Sequence, residues 1–280
     1  MPRFFVKVSR GLQETAMDEL QAFGIERPQI QEGGVGFESN WETCLHAQLW
    51  SRTASRFLLP VLDFPAYQPD DVYHNLKKHD FTKYIGPMQT IAVKAKVRES
   101  KLSDQRIVAL KAKDAVVDQF RAKFNRRPDV DKDHPDLPLV ISVLRNARVS
   151  IDLSGEPLSL RGYRPQAGVA PLRETVAAAL LRMAKWEPSI PLLDPMCGSG
   201  TILIEAALSA AHRPSFTGDR KFAFENWRTI QSDMWTAIRT KAYQQKVDYS
   251  GLSIFGSDID SQAIRFAKAN VNRAVVYYAI

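Results

Sequence analysis

Two periods of apolar residues alternate along the opening segment of the chain. Phe4-Phe5-Val6-Lys7-Val8 and Gly33-Gly34-Val35-Gly36-Phe37 are short extended runs, and between them Leu12 to Phe23 carries apolar residues at helical spacing. Strand, helix, strand is the order of a small α+β unit. The segment Cys44 to Trp50 predicts a second helix, and Phe57-Leu58-Leu59-Pro60-Val61-Leu62 predicts a buried strand. Pro60 has no N–H for a ladder, so an edge position is expected for that strand.

The same logic repeats downstream. Val72 to Leu76 starts a helix, Thr90 to Val97 alternates as a half-buried strand, and Ser103 to Phe124 forms a long amphipathic helix with Ser103 and Asp104 as capping candidates. A polar, proline-bearing loop from Asn125 to Pro138 leads to strands Leu139–Leu144 and Ala147–Leu153, whose Arg145-Asn146 turn predicts an antiparallel hairpin. The breaker-rich segment Arg161 to Gly168 precedes a helix from Leu172 to about Trp186. After Pro188 the order changes to strand, glycine turn, helix, long insertion, strand, acidic turn, helix, which belongs to a parallel α/β sheet. The expected fold class is therefore α/β plus α+β. The expected units are residues 1–63, 64–160, a connecting segment 161–188 and 189–280.

Composition narrows the function classes. With 280 residues, 45% apolar and 25% charged, the chain is composed like a folded soluble protein, and no run reaches the roughly eighteen apolar residues of a membrane span. A cytoplasmic location is expected, since the N-terminus lacks a secretory stretch and the two cysteines, Cys44 and Cys197, are too few for a disulfide framework. The histidines are scattered without metal-ligand spacing, and no metal is expected. A net charge of +7 points to a polyanionic partner. The cations Lys94, Lys96, Arg98, Lys101, Arg106, Lys111 and Lys113 crowd one stretch, with no interleaved aromatic ladder, so phosphate and shape recognition is the expected mode.

The most informative stretch is Leu192-Leu193-Asp194-Pro195-Met196-Cys197-Gly198-Ser199-Gly200-Thr201, an apolar strand ending in an acid, then a glycine turn opening a helix. Gly198 and Gly200 lack the Cβ atoms that would hold a ligand off the backbone amides. No lysine follows them as in a P-loop, and the dinucleotide series stops at the second glycine, so a pyrophosphate is not the expected ligand. Leu252 to Asp260 repeats the arrangement: a strand ends in Gly256-Ser257-Asp258-Ile259-Asp260, and Asp258 stands where a ribose diol is usually held. Cys197 is explained by its small size rather than by reactivity.

The pair Asp194-Pro195-Met196-Cys197-Gly198-Ser199-Gly200-Thr201 and Gly256-Ser257-Asp258-Ile259-Asp260 resembles class I S-adenosylmethionine-dependent methyltransferases. More narrowly, with Leu160-Arg161-Gly162-Tyr163-Arg164 and Ala170-Pro171-Leu172-Arg173-Glu174, it resembles the THUMP-domain RNA methylases that modify guanine N2 in large-subunit ribosomal RNA. The resemblance implies an N-terminal ferredoxin-like domain over 1–63, a THUMP RNA-binding domain over 64–160 and a Rossmann-like domain over 189–280. It implies S-adenosyl-L-methionine as cofactor, with Asp194, Pro195, Cys197, Gly198, Gly200, Thr201, Asp258 and Asp260 around it. RNA, ribosomal in the first instance, is the implied partner. Arg161, Tyr163 and Arg164 either grip that RNA beside the active site or fix the interdomain hinge, and Glu205 faces the cofactor or solvent.

Family members hold the methyl-accepting amine with an Asn/Asp-Pro-Pro-Tyr/Phe-like motif after the fourth strand of the catalytic sheet. No such motif occurs here, so no catalytic residue is assigned, and the chain is expected to be a shortened form of a longer enzyme. The rival readings are a noncatalytic RNA-binding protein with a residual methylase domain and an amino-group methylase acting on adenine in DNA. The insertion from His212 to Ser250 is aromatic; core packing is its expected use, with a cover over the substrate as the alternative.

Overall fold

The computed structural model of the protein describes residues 1–98, 100, 102, 104–164, 171–216, 220–244, 251–276 and 279. In chain order the N-terminal region contains β1 (Arg3–Lys7), α1 (Gln13–Ala22), β2 (Gln29–Gln31), β3 (Gly34–Glu38), α2 (Trp41–Trp50), β4 (Arg56–Pro65) and α3 (Pro69–Leu76). It continues with β5 (Thr90–Val97), α4 (Gln105–Phe124), β6 (Asp129–Val130), β7 (Leu137–Val143) and β8 (Asn146–Asp152). The remainder holds α5 (Glu174–Met183), β9 (Leu192–Asp194), α6 (Thr201–Ala210), α7 (Ser232–Gln244), β10 (Ile254–Gly256) and α8 (Ser261–Ala274).

Local chemistry sets several boundaries. Asn40 caps α2 by accepting from the Thr43 N–H at 2.8 Å, and Asp104 caps α4 by accepting from the Arg106 N–H. Asn125 ends α4 in the left-handed conformation, φ 51°. The other capping candidate, Ser103, lies outside the described residues.

Strands β1 to β8 form one eight-stranded sheet in the order β2-β3-β1-β4-β8-β7-β5-β6. The two N-terminal units read from the sequence thus share a single sheet, joined where β4 pairs with β8 from Leu58↔Asp152 to Pro65↔Asn146. This corrects the edge expectation for Pro60, because β4 lies between β1 and β8. Its pairing with β1 ends at Leu58, and its register with β8 shifts between Pro60 and Leu62. A proline is tolerated inside the sheet because its missing N–H falls at that irregularity.

One face of this sheet carries Phe4, Val6, Phe57, Leu139, Ile141, Val149 and Ile151, all at most 1% exposed, or 7% for the neighbouring Leu59, and buried residues of α1 to α4 join the same core. Burial of each such side chain stabilises the fold by about 1.5–3 kcal/mol relative to exposure. Phe222, Phe224, Trp227 and Trp235 from the insertion belong to this core as well. The Trp227 indole donates to the Asp136 carbonyl at 2.7 Å, and the Arg228 N–H donates to the Tyr84 carbonyl at 2.8 Å. The insertion therefore packs back on the N-terminal sheet, and its buried rings do not serve as a substrate cover.

The C-terminal region has a second, smaller core around Leu203, Ile204, Leu208, Ile254 and Ala274. Here β9 and β10 pair in parallel, Leu192↔Ile254 to Asp194↔Gly256. Leu193 and Phe255 stay 66% and 60% exposed on this pair.

Candidate cofactor site

Parallel pairing of β9 and β10 brings the two acidic strand ends side by side, which puts the glycine loop next to the second acidic turn. The Ser257 N–H donates to the Asp194 carbonyl at 3.0 Å, and the Cys197 N–H donates to the Ser257 carbonyl at 2.9 Å. The Gly198 N–H donates to Asp258 Oδ2 at 2.8 Å, and the Asp260 N–H donates to Asp258 Oδ1 at 2.9 Å. Both bonds hold the Asp258 carboxyl below the usual carboxylate range, the one from Asp260 contributing most. Asp258 is thus ionised at neutral pH, and each oxygen keeps a further lone pair for a hydroxyl donor.

The two loop glycines have different reasons to be there. Gly198 takes φ +53° with open space where a Cβ would stand, so a ligand can approach its backbone. Gly200 takes φ +80°, and a Cβ there would meet the Ala267 Cβ of α8 at 3.3 Å. Behind them, a Cβ on Gly256 would collide with the Leu203 side chain. The Asn270 side-chain amide donates to the Ser199 carbonyl at 3.1 Å, tying α8 to the loop.

The remaining residues expected around a cofactor divide by role. Asp194 Oδ1 accepts from the Met196 N–H, and the Pro195 carbonyl accepts from the Ser257 hydroxyl. The Asp260 side chain is the N-cap of α8, accepting from the Gln262 N–H at 2.8 Å. Cys197 is buried, and burial together with the Asp194 and Asp258 charges pushes its thiol pKa up, which disfavours a thiolate nucleophile. Thr201 opens α6 and accepts from Arg164 Nη1 at 3.0 Å.

Arg161 and Tyr163 require a correction as RNA-binding residues: they are 1% and 0% exposed, and a polynucleotide has no surface of theirs to touch. Both converge on Glu205, itself fully buried on α6. The Tyr163 hydroxyl donates to Glu205 Oε1 at 3.1 Å, with Arg161 Nε 3.5 Å from the same oxygen and Arg52 Nη1 3.6 Å from the other. Glu205 accordingly faces neither cofactor nor solvent. Arg52 Nη2 also donates to the Leu208 and Arg213 carbonyls at the C-terminal end of α6, where a cation meets the negative pole of the helix. Arg164 is bridged to the buried Glu174 at 2.8 Å. Together these contacts clamp α6, whose N-cap is Gly200 of the glycine loop, to the N-terminal module. The sequence showed these residues but not their burial, since arginine and glutamate are usually exposed.

The expected RNA-facing cations fall on two surfaces. Lys94, Lys96 and Arg98 are exposed along β5 and its end, whereas Arg106, Lys111 and Lys113 lie on α4. Lys101 is outside the described residues.

An eight-stranded α+β module followed by a parallel strand pair with a glycine turn and an acidic turn at adjoining strand ends is the plan of an RNA-module-bearing class I methyltransferase. Three family models match the chain: an RlmL ferredoxin-like domain over residues 3–58, a THUMP domain over 66–152, and the UPF0020 RMKL-like methyltransferase domain over 161–280. SMU.472, described as a candidate methyltransferase and crystallised with SAH, is 31% identical, with 99% of this chain and 74% of that one covered at a TM-score of 0.89. A predicted N6-adenine-specific DNA methylase from Listeria monocytogenes str. 4b F2365 is 30% identical, with 98% and 72% covered at 0.87. TrmN from Thermus thermophilus, at 18% identity and 0.68, shares the fold, with 99% and 71% covered. The chain belongs to the RMKL-like, THUMP-containing family of S-adenosylmethionine-dependent methyltransferases.

Proposed function

We propose that this protein binds S-adenosylmethionine at the Gly198–Asp258 turn pair and methylates an exocyclic amine of RNA, with guanine N2 of large-subunit ribosomal RNA as the target. The observation that carries the cofactor half is the 2.8 Å bond from the Gly198 N–H to Asp258, which fixes an ionised acceptor beside an uncovered glycine backbone. Bound there, the cofactor supplies a methyl group already activated on a sulfonium. In this reading Asp258 accepts from the ribose hydroxyls, the amides around Gly198 and Gly200 face the cofactor, and Asp194 lies at its methionine end. The protein's contribution is positioning the amine in line with the methyl group. The RNA half is supported by the THUMP match over 66–152 and the exposed cations of β5.

The test is methyl transfer from isotopically labelled S-adenosylmethionine to unmodified ribosomal RNA, followed by nucleoside analysis. N2-methylguanosine that disappears with Asp258→Ala supports the proposal. N6-methyladenine, made on RNA or on duplex DNA, overturns the target, and RNA binding without label transfer under any condition overturns the catalytic reading.

A further inference from the structure

Helices α1 to α4 contribute to the core on one face of the eight-stranded sheet. Strand alternation turns Lys94, Lys96 and, just past β5, Arg98 to the opposite face, together with Asp152 of β8, Arg56 of β4 and Lys7 of β1. The floor of that face is deeply set: Ser150 is 4% exposed and Asp152 1%. Arg56 pairs with Asp152, so the acid on the floor is already neutralised. Lys7, Lys94, Lys96 and Arg98 are exposed, and none makes a salt bridge with a described residue.

Lys7 and Lys96 belong to strands with β4, β8 and β7 between them, yet their charges act on each other. Partial desolvation of its ammonium lowers the pKa of Lys7, the Lys96, Arg56 and Arg98 cations lower it further, and the Asp152 charge opposes them. Three cations of α4 contrast with this set, because Lys111 pairs with Asp70, Lys113 with Asp114 and Arg121 with Asp118. The groove beside them is lined by Asp129 as well, so its charge is mixed.

We propose that the cationic face of the eight-stranded sheet, with Lys7, Lys94, Lys96 and Arg98, is the track for the phosphate backbone of the RNA substrate, and that the ion-paired cations of α4 are not. This rests on the RNA reading above and adds the surface, which spans both N-terminal units. Cations that have no ion-pair partner among the described residues and repel one another gain most from a polyanion, which relieves the repulsion and releases its own counterions. The ring of Phe5, at 9% exposure, is too buried for a base to stack on, so the contacts fall on phosphates rather than bases.

Fluorescence anisotropy with a fluorescein-labelled RNA hairpin bearing single-stranded flanks tests this on the whole chain. Two triple variants remove equal charge: Lys7→Gln/Lys96→Gln/Arg98→Gln on the sheet, and Lys111→Gln/Lys113→Gln/Arg121→Gln on α4. The sheet variant is expected to lose about tenfold or more in affinity and to reduce the log–log salt slope by about two, while the helix variant stays within about twofold. Lys7→Gln alone is expected to lose about threefold, which reports the contribution of the first unit. Unchanged thermal midpoints of both triples exclude misfolding as the cause. Equal losses in the two triples, or a sheet triple that binds like the parent, overturn the surface while the RNA reading stands. A parent chain that binds no RNA overturns both, and duplex DNA bound as tightly through the same residues overturns RNA as the occupant.

Discussion

The two halves of the molecule solve the same problem, covering apolar strands, with very different resources. Eight strands and the buried faces of α1 to α4 share one core in the N-terminal half, which even recruits Phe222, Phe224, Trp227 and Trp235 from a later segment. In the C-terminal half the three-residue strands β9 and β10 leave Leu193 and Phe255 exposed, and α6 is held by ion pairs to Arg52 and Arg161 as much as by its apolar neighbours. The difference teaches that the cofactor loop inherits its position from the N-terminal module. A helix gripped at Glu205 and at Leu208 transmits that position to the turn at its own N-terminus.

The sharpest way to break this comparison is Glu205→Leu. It strips the carboxylate from the buried Arg161 and the half-buried Arg52, and leaving such a buried charge without its partner costs about 3–5 kcal/mol. Denaturant unfolding should show the loss, and hydrogen exchange should show it concentrated in α6 and β9–β10 with β4–β8 unaffected. A cost below about 1 kcal/mol, or a loss spread evenly over both halves, would mean that the arginine seam does not hold the loop.

Gly200→Ala comes next. A φ of +80° and an Ala267 contact at 3.3 Å make any side chain there strained, at about 1–3 kcal/mol. The expected result is weakened SAH binding with an unchanged N-terminal transition; retained affinity would show that the turn relaxes freely.

Trp227→Phe removes the indole donor to the Asp136 carbonyl while keeping the ring, and should destabilise the N-terminal half by about 1 kcal/mol. A melting point unchanged from the parent would detach the insertion from that core.

The smallest effect is a pH effect confined to the N-terminal half. Burial, with help from the Lys83 cation, holds His79 down at about 4, well below its ordinary 6.5. Between those values the unfolded chain binds a proton that the folded chain refuses, so stability falls as pH drops through this window. Solvent screening around a partly exposed ring limits the change to about 1 kcal/mol. Melting curves of the parent and His79→Gln across that range should diverge at the acid end, and parallel curves would remove the histidine from the account.

Much of this organisation was legible along the chain, because local signals decide it. Thr90 to Val97 alternates cleanly and forms β5 with those bounds, and Gly198 and Gly200 mark a turn whose left-handed φ only glycine takes at low cost. What escaped depends on distant partners. Pro60 sits in an interior strand because β8 tolerates a register shift opposite it, which no local pattern encodes. Arg161 and Tyr163 read equally as RNA contacts or as hinge residues, because Glu205 and Arg52, which bury them, arrive from other elements. The aromatic insertion was recognisable as core material, but the core it fills lies far back in the sequence.

The central claim is that the loop at Gly198 and the carboxylate of Asp258 form one ligand-binding turn pair. Titration calorimetry with S-adenosylhomocysteine tests it most directly on the parent chain and on Asp258→Ala. The account predicts one site per chain and an affinity at least about tenfold weaker in the variant, the equivalent of about 1.4 kcal/mol lost with the ribose acceptor. Absence of heat for the parent at high ligand concentration, or equal affinity in the two proteins, would contradict it.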